Sequence, residues 1–189
     1  MDINLPEGYI GDVLFINGCD PNVAPHPYRY RVQHQREQLL AYGLSSNEVF
    51  YTEIDEKSIR NYRVILFYRC PWCDPVERAI QTARAYNKTI LFDVDDLVID
   101  TVYTDLIPYV QGLTGEAKAE YNNGVLRMGR TLKECEAAIT TTECLKEELE
   151  KYVPEVYINR NRASDDMLKY SEQALAEKTS NEGDRKSVV

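Results

Sequence analysis

The sequence predicts an α/β protein built on an open, mostly parallel sheet of about six strands, with helices on both faces. Two observations lead to this prediction. Short, β-rich apolar runs alternate along the chain with longer stretches of helical periodicity, and several of those stretches start or stop at recognisable capping residues. At 189 residues, the chain is also long enough to bury one full core without disulfide or metal support.

Six segments have the composition of strands, with β-branched and aromatic residues in short runs. They are Asp12–Ile16, Glu48–Thr52, Val64–Tyr68, Thr89–Phe92, Ala137–Thr140 and Glu155–Ile158. Because helical stretches separate these runs, the pattern is typical of βα units whose strands lie parallel.

The first two helices are predicted from their ends. One covers about Tyr30–Tyr42 and stops before a glycine. The other covers about Pro75–Tyr86, because Asp74 supplies an N-cap carboxylate, a proline fills the first turn and Glu77 completes a capping box.

Two more helices are predicted in the second half of the chain. Ser164 caps the last one. Thr114 opens the longer one, whose apolar positions recur at steps of four and three: Tyr121, Val125, Met128, Leu132 and Cys135. With the strands, these helices predict a Rossmann-like domain.

Composition excludes several classes of protein. A net charge of -9 opposes binding to nucleic acid or to an anionic membrane surface. A mean hydropathy of -0.47 and the lack of an apolar run near the roughly 18 residues of a membrane span exclude an integral membrane protein. Residues 1–7 have neither the basic nor the apolar region of a signal peptide, and the 5 cysteines do not form a secreted disulfide framework. We therefore expect a cytoplasmic protein with reduced thiols.

Cys70-Pro71-Trp72-Cys73 lies between a predicted strand and a predicted helix, where dithiol oxidoreductases carry their cysteines. Against a redox role, the predicted helix begins after both sulfurs, and Asp74 places a negative charge beside the pair, which raises a thiol pKa. A βα loop that happens to contain two cysteines is the simpler interpretation.

Three carboxylates, Asp93, Asp95 and Asp96, follow the strand that begins at Thr89. Ligands of open α/β sheets bind outside the carboxyl ends of the strands, so these side chains are candidates for a base, a hydroxyl acceptor or a metal ligand. The D-x-D spacing also matches the metal and sugar-nucleotide site of the GT-A glycosyltransferase fold. A solvated loop in which Asp95 or Asp96 caps the next helix is the plainer alternative.

Arg29, Arg31 and Arg36 form a local basic group at the start of the first helix, which suits an anion such as a phosphate. A surface salt-bridge face explains the same residues equally well. The loop after the first strand lacks the G-x-G-x-x-G pattern of NAD and FAD sites. No histidine has a Cys or Glu at metal-ligand spacing, so a zinc site is not expected, and no sequence motif predicts a cofactor.

Two other strand ends are polar, and each contributes candidates for the same crevice. Thr142 and Glu143 follow the fifth predicted strand, and Asn161 follows the sixth. Helix capping by Thr142 and turn formation by Asn161 are the simpler interpretations of each residue alone.

The order of these motifs resembles the N-terminal domain of a bacterial GT-B glycosyltransferase of the retaining group 1, or family 4-like, kind. The segments that carry the resemblance span about four fifths of the chain: Tyr30-Arg31 before a helix ending in Leu39-Leu40-Ala41-Tyr42-Gly43, Val64-Ile65-Leu66-Phe67-Tyr68-Arg69, Ile90-Leu91-Phe92-Asp93-Val94-Asp95-Asp96-Leu97, Ala138-Ile139-Thr140-Thr141-Thr142-Glu143-Cys144-Leu145 and Val156-Tyr157-Ile158-Asn159-Arg160-Asn161.

The resemblance implies two Rossmann-like domains facing a cleft, with the acceptor on the first and the nucleotide-sugar on the second. Residues 1–178 would be the first domain, and residues 179–189 a linker and the first strand of the second. The chain alone would be inactive, and peripheral membrane association would arise only in a full-length protein.

The same resemblance implies roles for individual residues. Asp95 and Asp96 would face the cleft and orient an acceptor hydroxyl, and no metal would be needed. Arg29 and Arg31 would bind a phosphate or a charged acceptor, while Thr142, Glu143 and Asn161 would form the opposite wall. The setting would be polysaccharide or glycan assembly. The alternatives are a dithiol oxidoreductase using Cys70 and Cys73, and a non-catalytic Rossmann-like binding module.

Overall fold

The computed structural model describes residues 11–23 and 25–185. It confirms the α/β prediction: a single sheet of 6 strands has the order β2-β1-β3-β4-β5-β6, and every neighbouring pair is parallel. The strands are β1 Gly11–Asn17, β2 Ser46–Phe50, β3 Tyr62–Tyr68, β4 Thr89–Asp93, β5 Ala137–Thr140 and β6 Glu155–Ile158.

Helices connect the strands. They are α1 Pro25–Tyr28, α2 His34–Ala41, α3 Glu56–Arg60, α4 Asp74–Ala85, α5 Pro108–Gln111, α6 Gly115–Lys133, α7 Glu143–Leu149 and α8 Asp165–Arg185. One π-helical turn, Arg29–Gln33, joins α1 to α2, and a 3₁₀ helix, Thr101–Leu106, precedes α5. Within the described residues, no helix combines the length and apolar character needed to cross a membrane.

Side chains of the central strands alternate between two apolar layers. Ile65 and Phe67 of β3 belong to the larger layer, whereas Leu66 and Tyr68 belong to the smaller one. This alternation is the period of two that any strand imposes. Both faces are apolar because a parallel sheet is covered on both sides, which explains why the strands look like nearly continuous hydrophobic runs in the sequence.

The handedness of the crossovers explains why one layer is larger. The β1-to-β2 connection moves toward one edge of the sheet, and the other connections move toward the other edge. Right-handed crossovers in opposite directions lie on opposite faces. The α1–α2 segment therefore contributes Val32 to the smaller layer, while α3, α4, α6 and α7 contribute to the larger one.

Several local features differ from the sequence predictions. Strand β2 begins and ends two residues earlier than expected, because Ser46–Phe50 is the stretch that pairs with β1. Cys73, rather than Asp74, is the N-cap of α4, so Asp74 lies inside the first turn. The first helix starts earlier, at Pro25, and contains a π turn. Finally, α8 continues to Arg185, so residues 179–185 of the predicted linker are helical. The predicted strand start at Val188 and Val189, and the segment searched for a signal peptide, lie outside the described residues.

Candidate functional site

A cleft of about 960 Å³ lies at the carboxyl ends of β1, β3 and β4. Neighbouring β1 and β3 are the strands from which the chain winds in opposite directions, so the gap between their following loops is the switch point of the sheet. Open α/β sheets bind ligands at that place, because the diverging loops leave a crevice there. The position of the cleft alone makes it the principal candidate site.

The loop after β1 lies directly against the loop after β3. Gly18 donates a backbone hydrogen bond to the Tyr68 carbonyl at 2.8 Å. A Cβ atom at Gly18 would lie 2.3 Å from the Arg69 carbonyl oxygen. Only glycine permits this approach, which forms the floor of the cleft. The buried Asn17 side chain fixes the same loop by accepting a hydrogen bond from the Cys19 amide at 2.9 Å.

Arg69, which lines this cleft, forms an ion pair with Asp95 behind it. Arg69 Nη2 lies 2.6 Å from Asp95 Oδ1, and the Nε donates to the same oxygen at 2.9 Å. Arg69 has a φ of 45°, a left-handed conformation that costs a non-glycine residue free energy and that often marks functional sites. The side chain of Asp95 is only 14% exposed. Its carboxylate is therefore oriented by a residue that is itself held in a strained turn.

Asp96 lies on the open side of the same pair. Its side chain is 57% exposed, with Oδ2 at 3.9 Å from Arg69 Nη2. Burial, and next the Asp96 charge, raise the pKa of Tyr121, which lies on α6. Asp96 and Tyr121 both line the cleft. The candidate carboxylate and the phenol of Tyr121 thus belong to the same cleft.

Helix α6 forms that far wall and adds carboxylates of its own. Glu116 and Glu120 line the cleft beside Asp96, and the cationic lining residues are Arg69 and Arg127. Arg69 is already paired with Asp95. The lining is therefore rich in hydrogen-bond acceptors and carries more negative than positive charge.

The Cys70-Pro71-Trp72-Cys73 loop holds α6 in place. The Trp72 amide donates to the Arg127 carbonyl at 3.0 Å, and Arg127 Nε donates back to the Trp72 carbonyl at 2.7 Å. The guanidinium of Arg130 stacks over the Trp72 ring at 4.1 Å, a cation–π contact. These contacts fix the position of α6, the far wall of the cleft, relative to the loops that form the floor.

Cys70 packs inside the core, and Cys73 caps α4. The Cys70 Sγ is fully buried and donates to the Ile16 carbonyl at 3.0 Å. Burial raises the pKa of the Cys70 thiol well above its ordinary value, which is opposite to what a nucleophilic cysteine needs. All of the cysteines are free thiols.

Arg31 and Asp93 lie apart from the cleft lining, as a fully buried ion pair. Two guanidinium nitrogens contact the two carboxylate oxygens at 2.8 and 2.6 Å. Arg31 Nη1 donates to the Asn159 carbonyl at 2.6 Å and to Asn161 Oδ1 at 3.1 Å, and Gln35 donates to Asp93 at 2.7 Å. The structure therefore brings together two predicted site residues, Arg31 and Asn161, in a network that ties the first helical segment to β4 and to the end of β6.

The other predicted residues occupy the surface near the carboxyl edge. Arg29 is exposed on the π turn. Arg36 pairs with Glu48 at 2.8 Å, which confirms the salt-bridge interpretation for that residue. Thr142 is the N-cap of α7 and accepts from the Leu145 amide at 3.2 Å, as the capping interpretation predicts. Glu143 lies 3.6 Å from Arg160 in an exposed ion pair.

A metal site is not assembled from the aspartates. Asp93 of the D-x-D pattern is occupied by Arg31, and burial raises the pKa of its carboxyl even though Arg31 acts in the opposite direction. Across residues 11–23 and 25–185, no group of three or more His, Cys, Asp or Glu side chains is placed to hold a metal ion.

Comparison with known proteins adds little. No protein-family model matches the chain, and no curated protein matches it. A solved structure titled "Native KDPGal structure" aligns at 11% sequence identity over 84% of this chain and 73% of that one, with a TM-score of 0.25. A score that low carries no argument about function, so the site is interpreted from its own geometry.

Proposed function

We propose that this chain is the acceptor-side domain of a GT-B glycosyltransferase, which moves a sugar from a nucleotide-sugar to a hydroxyl of a glycan or another acceptor. The observation that carries the proposal is the acidic cleft at the switch point, which is lined by Asp96 and by Arg69, the ion-pair partner of Asp95. The ordered motifs that resemble such domains include these two residues and Arg69.

The charge of the cleft favours an acceptor over a donor. Carboxylates of Asp96, Glu116 and Glu120 accept hydrogen bonds from sugar hydroxyls. The same carboxylates repel the diphosphate of a nucleotide-sugar, because like charges at close range destabilise each other. A further domain opposite this cleft would bind the donor and supply the positive groups for the leaving diphosphate.

Asp96 and Asp95 have different roles in this proposal. The more exposed Asp96 accepts a hydrogen bond from the attacking hydroxyl and fixes its direction. Asp95 is neutralised by Arg69 and holds the loop that presents Asp96. In the transfer, the acceptor oxygen forms the new bond to the anomeric carbon, and its proton passes to a phosphate oxygen of the departing nucleoside diphosphate. The bond from that carbon to the diphosphate breaks, and its electrons leave with the nucleoside diphosphate.

The smaller apolar layer is partly uncovered, and this supports the presence of further protein structure beyond this domain. A groove of about 340 Å³ opens between α2 and the sheet. Leu91 and Ile139, at its floor, are only partly buried, although they lie on central strands. Apolar surface of this kind is usually covered by a partner. In this proposal a further part of the full-length protein is that partner, since the donor-binding domain lies opposite the cleft.

The dithiol alternative has less support. A nucleophilic cysteine must be accessible and carry a lowered pKa, and Cys70 is buried with a raised pKa. The metal-dependent GT-A alternative needs Asp93, which Arg31 occupies.

The proposal is tested by NMR titration of the isotope-labelled chain. The ligands are methyl glucoside, methyl galactoside, methyl mannoside and methyl rhamnoside, each compared with UDP-glucose and GDP-mannose. We expect at least one glycoside to shift the amides of Gly18 and Asn123, which line the cleft, and both nucleotide-sugars to bind more weakly. Asp96→Asn should weaken glycoside binding by about tenfold or more, since a hydrogen bond to a charged group contributes about 1.5–3 kcal/mol.

Asp166→Asn is the matched control, because Asp166 is exposed on α8 and takes no part in the cleft. Three results contradict the proposal: no glycoside shifts the cleft at tens of millimolar, Asp96→Asn leaves the affinity unchanged, or a nucleotide-sugar binds more tightly than every glycoside.

A further inference from the structure

A second groove, of about 390 Å³, continues directly from the acidic cleft. The two cavities share lining residues, so they form one trough with a polar end and an apolar end. The shared residues are Val98, Glu120, Tyr121, Gly124 and Met128. Beyond them the groove runs between α5 and α6, past Tyr109 and Leu113.

This groove is lined almost entirely by apolar side chains. Its floor is Val98 and Val125, which are 8% and 2% exposed, and its mouth includes Tyr109, which is 70% exposed. Leu106 and Val102 of the adjacent 3₁₀ helix are also largely exposed. A preformed apolar groove that opens into a polar cleft matches the usual lining of a small-molecule site, in which a few polar groups orient an otherwise apolar ligand.

Gly124 stands at the junction of the two cavities. It lines both of them, and a Cβ atom built at this position meets no heavy atom within 4 Å. Glycine inside a helix costs free energy relative to alanine, and here no neighbouring atom requires it. The missing side chain leaves the passage between the polar and apolar ends open.

We propose that this groove holds the apolar tail of an amphipathic acceptor: an alkyl or aryl group bonded to a hydroxylated head that occupies the acidic cleft. The assignment of the head rests on the proposed function, whereas the tail site rests on the groove itself. The acceptor class is thereby narrowed from any glycan to a glycoside or glycolipid with an apolar aglycone.

Continuity with the cleft selects this occupant over a protein partner. At Gly124 the groove opens into a cleft lined by the carboxylates of Glu120, Glu116 and Asp96, so an apolar helix or strand docked in the groove would meet charged groups at that end. A ligand with one apolar part and one hydroxylated part satisfies both ends at once.

The test compares two probes that differ only in the tail. n-Octyl glucoside, below its micelle concentration, and methyl glucoside are titrated into the full chain, with the methyl signals of Met128 and Val125 and the amide of Gly124 as readouts. We expect octyl glucoside to bind at least about tenfold more tightly, because burial of two methylene groups already corresponds to about that factor. Its shifts should extend to Leu113.

Two substitutions at one position provide the matched control. Gly124→Leu fills the junction and should reduce the affinity for octyl glucoside to that for methyl glucoside. Gly124→Ala leaves most of the passage open and should change the affinity by less than about twofold. Both residues favour helix more than glycine does, so both variants should fold, and their melting temperatures verify this.

The inference is overturned if octyl and methyl glucoside bind equally, or if Gly124→Leu leaves octyl binding unchanged. A failure of the proposed function gives a different result from a failure of this inference. If octyl glucoside shifts the groove and Gly124→Leu abolishes this, while Asp96→Asn has no effect, the apolar site stands and the acceptor role of the acidic cleft does not.

Discussion

Arg31 Nη2 lies 2.6 Å from Asp93 Oδ2 with both side chains fully buried, although the two residues are 62 positions apart in the chain. The guanidinium contacts both carboxylate oxygens, and its remaining nitrogen reaches the backbone at Asn159. One side chain thus links the first helical segment to the ends of β4 and β6. It fixes the positions of these three elements relative to one another at the carboxyl edge of the sheet, next to the proposed acceptor cleft.

We expect Arg31→Met to lower the free energy of unfolding by about 3–5 kcal/mol, because Asp93 is left as a buried charge without its partner. Arg31→Met combined with Asp93→Leu should recover much of this loss, since the buried charge is then gone as well. Urea unfolding of the three proteins measures both values. Arg29→Met, at an exposed position nearby, should change stability by less than about 0.5 kcal/mol.

The decrease in the free energy of unfolding caused by Arg31→Met should also depend on pH. Burial raises the pKa of Asp93, and Arg31 opposes that rise, so without Arg31 the folded-state pKa rises further. A carboxyl whose folded pKa exceeds its unfolded pKa favours folding at low pH, and this contribution is lost as pH rises through the folded value. The variant should therefore lose more stability at pH 8 than at pH 5. An equal loss at both values would show that Asp93 remains charged.

Alanine substitutions at three glycines should change the stability in different directions, two lowering it and one raising it. At Gly18 a Cβ atom would lie 2.3 Å from the Arg69 carbonyl oxygen, and at Gly129 it would lie 1.9 Å from the Ile99 carbonyl oxygen. Backbone must move in both cases, so Gly18→Ala and Gly129→Ala should each destabilise by about 1–3 kcal/mol. Gly124→Ala meets nothing and should stabilise by up to about 1 kcal/mol. Thermal unfolding ranks the three, and a destabilised Gly124→Ala would contradict the open passage at that position.

The fold could be predicted from local patterns because its strands are buried on both faces. Ile65, Leu66 and Phe67 are apolar whichever layer they enter, so their run is visible without knowledge of the topology. The π turn could not be predicted, since Arg31 lies there to reach Asp93, and that partner is remote in the chain. The sequence does not indicate the N-cap at Cys73, because Asp74 fits the same motif one residue later.

The candidate site was only partly predictable. The sequence identifies Asp95 and Asp96 as candidates because polar residues after a buried strand lie at its carboxyl edge. Arg69 meets the same criterion after β3, and this signal could have identified it as a site residue. Glu120 and Gly124 could not have been found, because they line the cleft only when α6 packs against Trp72, a contact that no local pattern encodes.

Two substitutions at Thr142 separate its structural role from a functional one. Its side chain caps α7 by accepting from the Leu145 amide, so Thr142→Ala should lower the free energy of unfolding by about 1 kcal/mol. Thr142→Ser keeps the hydroxyl and should retain most of the stability. Chemical unfolding measures both, with Thr141→Ala as the neighbouring control. A Thr142→Ser protein that is stable yet binds glycosides more weakly would show that the threonine also contributes to the wall of the site.

The rates at which the individual cysteines react with a thiol reagent should exclude a catalytic dithiol. Cys144 is exposed and Cys70 fully buried, and burial also raises the pKa of Cys70 and Cys135. A raised pKa means less thiolate at every pH below it, and the thiolate is the reactive form. In the folded protein, iodoacetamide should therefore modify Cys144 at least about a hundredfold faster than Cys70 at pH 7 and at pH 9, since Cys70 reacts only after local opening. Mass spectrometry of timed samples gives both rates, and labelling in 6 M guanidinium chloride should remove the difference. If Cys70 reacts first in the folded chain, or if Cys70→Ser abolishes a thiol–disulfide exchange activity, the dithiol function replaces the acceptor domain proposed for this protein.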